Sequence, residues 1–373
     1  MTRMPCRLFN GAIAVKTGWA RWRVGAAAAC ALSGLLGIGA LPAAAQSNET
    51  LRLRIVGGLA GLNQYVRHEE PFWTRDLATL SGGRYTSDIV PFDRAGLPGQ
   101  EMLTLIRLGV VPFGTALLSL VAMQYPELAA PDLAGLSPDV PALRKVVTAF
   151  RPALADLLRE RHGTELLAVY VYPAQVVFCR EPLAGLQGLA GRKTRVSSAT
   201  QADFVRALGG IPVPTPFAEI VSAIRAGSAD CAITGAVSGR TIGLPQVTKT
   251  LYTLPISWGL AMFGANREAW RALPPDLREI VLKEVPKLEA TIWDEAERDT
   301  AVERLCAVAG TCALGSTESL TEVRPSQADQ ALRRRILEQN VLPQWIARCG
   351  ANCQALWDAN IAPVVGIKAP PFQ

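Results

Sequence analysis

A doubly wound α/β fold is predicted by three features of this 373-residue sequence. Strand and helix signals alternate as β-α-β-α-β over residues 193–234. A strand, a glycine turn and a helix follow one another over 51–80. A helical run over 274–308 is long enough to reach from one half of the molecule to the other.

In chain order, residues 1–45 stand apart from the fold. Arg21 and Arg23 precede the apolar run 24–41, and Ala43, Ala44 and Ala45 offer small residues at a cleavage position before Gln46. This is the pattern of a secretory signal peptide, and it predicts a soluble mature protein outside the cytoplasm. Residues 51–56 read as a strand, 57–61 as the turn Gly-Gly-Leu-Ala-Gly, and 65–80 as a helix. Such a turn either aims backbone N–H groups at a bound anion or simply makes a tight bend, and the residues leave both readings open. A strand over 86–91 and a helix over 101–108 follow. Residues 140–162 read as a helix containing the turn-breaking pair Arg151-Pro152, and 166–171 as a strand leading into a second half.

The second half has the clearest local grammar. A basic-apolar strand over 193–196 carries Arg195 near its end, and Ser198 and Gln201 stand at capping-box spacing, so a helix starts at about Ala199. Phe204, Val205 and Leu208 share a face of that helix, and Gly209-Gly210 ends it. After a strand over 211–213, Thr215 and Pro216 open a helix whose Phe217, Ile220, Val221 and Ile224 fall at i, i+3, i+4 and i+7. Residues 229–234 form a third strand. In such a sheet ligands bind beyond the carboxyl ends of the strands, where Arg195 and Thr234 emerge. Strands over 250–258 and 260–264 precede the long helix, which Pro286 is expected to kink near Leu282. A last helix is expected over 343–357.

Charge and cysteines bound the function. Five of the 38 Lys and Arg lie in residues 1–45, which hold no Asp or Glu, so the rest of the chain carries 33 basic against 32 acidic residues. The basic balance belongs to the leader, which excludes a nucleic-acid reading based on charge; Arg333-Arg334-Arg335 reads as a solvated helix face. Cys306 with Cys312 and Cys349 with Cys353 are close pairs, read as local disulfides with a four-cysteine zinc site as the alternative. Cys179 and Cys231 lie on two strands of one lobe, either bridged or simply buried.

Residues 182–196, the turn Leu208-Gly209-Gly210-x-Pro212-Val213-Pro214, the run Pro216-Phe217-x-Glu219-Ile220 and Gly227-x-x-Asp230 together resemble the substrate-binding proteins of tripartite ATP-independent periplasmic (TRAP) transporters. Weaker similarity runs from Leu51 to Pro363, including Ile106-Arg107-Leu108-Gly109, Pro126-Glu127-Leu128 and the long helix. The resemblance implies a two-lobed periplasmic binding protein of the Venus-flytrap type, with lobe I over 46–168 plus 258–290 and lobe II over 169–257 plus 291–373. It implies capture of an organic acid and its delivery to TRAP membrane subunits by a periplasmic monomer, without cofactor or metal. The arginine matching Arg195 is the family's contact to the ligand carboxylate, and a guanidinium fork suits that role.

Departures from the family narrow the ligand. Where many members carry a second arginine this chain has Ala174, beside Gln175, and where many carry Asp-Gly-Gln-Glu-Asn it has Asp230-Cys231-Ala232-Ile233-Thr234. With one cation fewer, the expected ligand has one principal carboxylate. Gln175, Thr234 and Asn63 are assigned to its polar contacts and Tyr172, Phe92 and Trp258 to apolar walls. A ligand-sensing protein feeding a receptor would share this fold. An enzyme is disfavoured: only His68 and His162 offer imidazole bases, no nucleophile elbow, zinc-protease or P-loop motif is present, and Glu219 suits a helix N-terminus better than acid–base chemistry.

Overall fold

The computed structural model describes residues 50–309 and 320–372, the side chains of 301–309 excepted. The signal peptide and the Cys306–Cys312 pairing fall outside the described residues.

Two mixed sheets organise the chain. The first has the order β2-β1-β3-β10-β4, built from β1 (Leu51–Gly57), β2 (Tyr85–Pro91), β3 (Phe113–Leu117), β4 (Thr164–Val171) and β10 (Leu260–Asn266). The second has the order β11-β9-β5-β8-β6-β7, from β5 (Gln175–Cys179), β6 (Lys193–Val196), β7 (Ile211–Pro214), β8 (Cys231–Gly235), β9 (Thr250–Ser257) and β11 (Thr321–Val323). Two short strand connections cross from one sheet to the other, at Tyr172-Pro173-Ala174 and at Trp258-Gly259, and after the long helix the chain rejoins the second sheet at β11. A bond from Tyr172 N–H to Gly259 C=O, 3.0 Å, ties the two crossings together.

The expected β-α-β-α-β unit is present: β6 pairs in parallel with both β7 and β8. Its first helix, Ala199–Ala207, starts where the Ser198 cap places it, the hydroxyl accepting from Gln201 N–H at 3.1 Å. The sheets are not wholly parallel, however. β10 runs antiparallel to β3 and β4, and β5 antiparallel to β8 and β9, because each crossing strand enters its second sheet from the opposite end.

The two long helices are continuous, and one expectation about the C-terminal helices is corrected. Val140–His162 is one helix containing Arg151-Pro152, and Pro275–Ala309 is one helix containing Pro286. Both prolines lie on exposed faces, where water can take up the carbonyl each ring leaves unbonded, while Val146, Phe150, Leu154, Val281, Val285 and Ile292 face the core. The expected single C-terminal helix is two, Leu342–Cys349 and Ala351–Asn360. They are broken at Gly350 with φ +83° and spanned by the Cys349–Cys353 disulfide.

The long helix joins the halves. Trp293 Nε1 donates to Val169 C=O of β4 at 2.8 Å, and the same helix reaches Ala236–Thr241 and β11. The last helices pack on Pro126–Asp132 and Val140–His162, with Trp345 Nε1 donating to Pro126 C=O at 2.7 Å. In the second sheet Cys179 and Cys231 face each other across β5 and β8 and form a disulfide, deciding a question the sequence leaves open. Its linkage over a separation of 52 residues pins the far end of the strand pair whose other end carries Gln175 and Thr234.

Candidate ligand cleft

The carboxyl ends of β1 and β3 in one sheet and of β6 and β8 in the other converge on the crossings, so the cleft lies where an open α/β sheet places its ligand. Arg195 lies on β6, only 4% exposed. Its Nε donates to Thr215 C=O at 2.9 Å and its Nη1 to Ile233 C=O at 2.8 Å. These bonds aim the guanidinium and leave Nη2 without a protein acceptor among the described residues. No described carboxylate lies within ion-pair distance, and burial pulls the group's pKa down to about 10. It therefore stays charged at neutral pH, at a desolvation cost of roughly 3 kcal/mol. A buried cation with two neutral partners and a free N–H edge is a site for an anion.

Thr234 is brought close, since it follows Ile233 and is buried opposite Val176. Gln175 pairs with Gly235 and its Nε2 is turned toward Pro173 C=O at 3.1 Å. Phe217 was not assigned to the ligand from sequence. It directly follows the Thr215-Pro216 turn that holds Arg195, and with Leu59 and Leu117 it packs against both hydrophobic cores of the molecule. Its place in the Pro216-Phe217 run was visible, but helical periodicity marked it only as a core residue.

Other assigned residues are engaged with partners of their own. Trp258 is fully buried and its Nε1 donates to Ser137 C=O at 3.0 Å, so it is a core residue of the crossing rather than a ligand wall. Phe92 is buried in the core beside Gly99. Asn63 Nδ2 donates to Asp299 at 3.1 Å in a separate crevice, shared with Tyr172, His68 and Glu295, between the first helical segment and the long helix. His68 pairs there with Glu295.

The glycine turn after β1 holds carboxylates, but they are the protein's own. Gly58 N–H donates to Glu69 at 3.1 Å and Ala60 N–H to Asp93 at 3.0 Å, so these two amides are not open to a ligand. Gly57 and Gly58 are required by close approach: a Cβ on the first would meet the Tyr65 ring at 2.7 Å, and on the second Glu69 Oε1 at 2.7 Å and the Tyr172 hydroxyl at 2.9 Å.

Two carboxyls beside the cleft are buried without a cation. Glu69 accepts from Gly58 N–H, Gln64 Nε2 and Thr115 Oγ1, and Asp132 from the backbone N–H groups of Trp258 and Gly259. Burial outweighs these bonds and pushes each pKa up to about 7. A carboxyl raised on folding binds more protons in the folded than in the unfolded state between its two pKa values. These two groups therefore stabilise the fold at low pH, and that contribution is lost as pH rises from about 4 to about 7. His162, lowered by burial, acts in the opposite sense on acidification, so the informative readout is a difference between proteins. Glu69→Gln is expected to gain on the wild type in denaturant midpoint as pH rises from about 5 to about 8. A constant gap between the two proteins would contradict the burial argument.

Comparison with known proteins agrees with the architecture. Residues 63–314 match the family model described as bacterial extracellular solute-binding protein, family 7 (DctP). A Bordetella pertussis extracytoplasmic solute receptor binding pyroglutamic acid superposes with a TM-score of 0.71 at 21% identity, covering 83% of this chain and 98% of that one. A Rhodoferax ferrireducens TRAP periplasmic solute-binding protein with bound malonate gives 0.73 at 19%, covering 84% and 98%. One from Ralstonia eutropha H16 with bound (S)-2-acetolactate gives 0.72 at 18%, also covering 84% and 98%. With two thirds of its length matched to that model and the same two-sheet architecture, this chain belongs to the bacterial extracellular solute-binding protein family 7.

Proposed function

We propose that the protein captures an organic acid bearing one principal carboxylate, anchors it on Arg195, and delivers it from outside the cytoplasm to TRAP membrane subunits. The observation that carries this reading is the buried guanidinium with no acidic partner among the described residues. The carboxylates named for the similar structures, malonate, pyroglutamate and acetolactate, support the ligand class. Ala174 in place of a second cation, and Thr234 in place of an amide, favour a less polar acid than a sugar acid. The two crossings are the hinge about which the lobes close. Closure presses Phe217 against the ligand and presents a closed surface to the membrane partner, with no chemical step and no second copy of the chain needed. Among the described residues no helix is long and apolar enough to cross a membrane, which is compatible with a receptor free of its transporter.

Mass spectrometry of small molecules released by denaturing the purified mature protein tests this reading. The expected result is one organic acid at near-stoichiometric yield in protein not exhaustively washed. Release of only a neutral sugar or a cation would contradict it.

A further inference from the structure

A strap fastens the second crossing to the body of the first sheet. Residues 132–137 join the segment Pro126–Asp132 to the helix Val140–His162, both packed on elements of that sheet, and run alongside residues 256–259. Gly135 N–H donates to Ile256 C=O at 2.7 Å, and Trp258 Nε1 donates to Ser137 C=O at 3.0 Å. The Asp132 carboxylate takes the Trp258 N–H on one oxygen at 2.9 Å and the Gly259 N–H on the other at 2.8 Å. From the helix Gln327–Ile336, Arg333 Nη1 secures the strap by donating to Gly135 C=O at 2.8 Å. At the first crossing the Tyr172 N–H is held by Gly259 C=O of the second, and Pro173 has no N–H to offer.

Of the bonds between strap and crossing, those on Asp132 alone depend on an ionisable group. As a carboxylate it offers an acceptor to each N–H. As a neutral acid it carries a proton on one oxygen, and one of the two N–H groups loses its acceptor. Asp132 lines a cavity between the sheets and keeps some exposed surface there, so protons can reach it. The charged groups around it are engaged elsewhere: Arg348, on the same cavity, is held by Asp203 at 2.6 Å, and Glu127, on the same segment, by Arg161 at 3.1 Å. Asp139 caps the helix Val140–His162 through Ala142 N–H, and His162 at its far end, edge-on to Tyr125, is held by burial below the ordinary 6.5. Burial opposes the two N–H bonds and brings the Asp132 carboxyl to about 7. It is therefore charged at about pH 8 and neutral at about pH 5.5.

We propose that Asp132 is a positioning residue for lobe movement: as a carboxylate it locks the second crossing to the strap, and as a neutral acid it frees that crossing to turn. The inference rests on the two crossings as the hinge of the proposed clamp and on no ligand contact. While residues 256–259 are locked, the dihedrals of Trp258 and Gly259 cannot change without breaking a charge-assisted bond, which holds the lobes in one orientation. Once the lock is released, both connections can turn and the lobes sample further orientations. The affinity of a clamp includes the cost of selecting its closed orientation, so the lock acts on capture without touching the ligand.

Nuclear magnetic resonance of the ligand-free mature protein separates a lock on lobe movement from a merely structural clasp. Amide exchange of Trp258 and Gly259, corrected for its intrinsic pH dependence, reads the lock, and residual dipolar couplings from the two sheets read lobe orientation. Between about pH 8 and about pH 5.5 the wild type is expected to lose protection by at least ~10-fold at one or both amides, the worth of one hydrogen bond to a charged group. The couplings should fit one rigid orientation at about pH 8 and require more than one at about pH 5.5. Asp132→Asn keeps a single acceptor at every pH, so it should show the low protection and the spread of orientations at about pH 8 already, with neither changing on acidification. Unchanged protection across pH in the wild type would overturn the inference, and the wild type alone decides if the variant does not fold. Lost protection with couplings that still fit one orientation would overturn it too, leaving Asp132 a structural clasp. So would a pH dependence in Asp132→Asn equal to that of the wild type. Each of these outcomes leaves the Arg195 reading standing, because no ligand takes part.

Discussion

Arg195→Met is expected to weaken binding of the cognate acid by at least ~100-fold while costing the unliganded protein no more than about 1 kcal/mol of stability. The two effects separate because the residue's energetics are split between states. In the unliganded protein the guanidinium is buried with no counter-ion among the described residues and only two carbonyl partners, Thr215 and Ile233. Methionine fills a similar volume and relieves the desolvation cost, and this offsets the two carbonyls it leaves without a donor. In the complex the same charge meets a carboxylate in a closed, low-dielectric site, where removing one partner of a buried pair typically costs 3–5 kcal/mol. A denaturant series checks the first half and calorimetry the second. Loss of both stability and affinity would instead mark Arg195 as a structural residue.

The second large effect is on the hinge. Trp258→Ala is expected to destabilise the fold by about 3–5 kcal/mol, read as a shift of the denaturant midpoint at unchanged slope. The indole is fully buried at the second crossing, and its N–H satisfies the Ser137 carbonyl. Its backbone N–H is held by Asp132 while the adjoining Gly259 C=O accepts from Tyr172 N–H. Truncation leaves a cavity and an orphaned carbonyl at the point where both crossings are joined. Trp258→Phe keeps most of the volume and loses only the indole bond, so it should cost distinctly less. Equal losses in the two variants would show that the hydrogen bond, not the packing, dominates.

What could be read from the sequence was local. The Ser198 cap, the Gly209 stop and the β6–β8 alternation depend on residues within a few positions of one another, and each falls where its chemistry puts it. The antiparallel entry of β5 and β10 depends on pairing across the molecule, which no periodicity records. The helices run on through their prolines for a related reason: water can solvate the carbonyl each ring frees, and that exposure is a property of the packed fold. Arg195 was visible as a strand-end cation, but its proposed role rests on what is missing around it. That required knowing that its neighbours in space, Thr215 and Ile233, offer carbonyls rather than carboxylates.

The aromatic residues show the same division. Trp258, Phe92 and Tyr172 had the right chemistry for a ligand wall, yet the fold commits the first two to core and seats the Tyr172 hydroxyl beside Gly58 and Glu69. Phe217 reads as one more apolar helix position in the sequence, and only the fold packs it against both cores just after the turn that brings Thr215 to Arg195. Asp132 was silent altogether, because nothing near it in sequence marks a carboxyl that clasps the backbone of residues 258 and 259. The glycine turn had the right shape for an anion but is already filled by Glu69 and Asp93.

The measurement closest to the central claim compares the released acid with its own carboxamide against wild type and Arg195→Met by calorimetry. If the ligand is held through its charge on Arg195, the wild type should prefer the acid over the amide by at least ~100-fold, and the variant should bind both about equally weakly. An undiminished preference for the acid in Arg195→Met would contradict the account, because the carboxylate would then be held by another group.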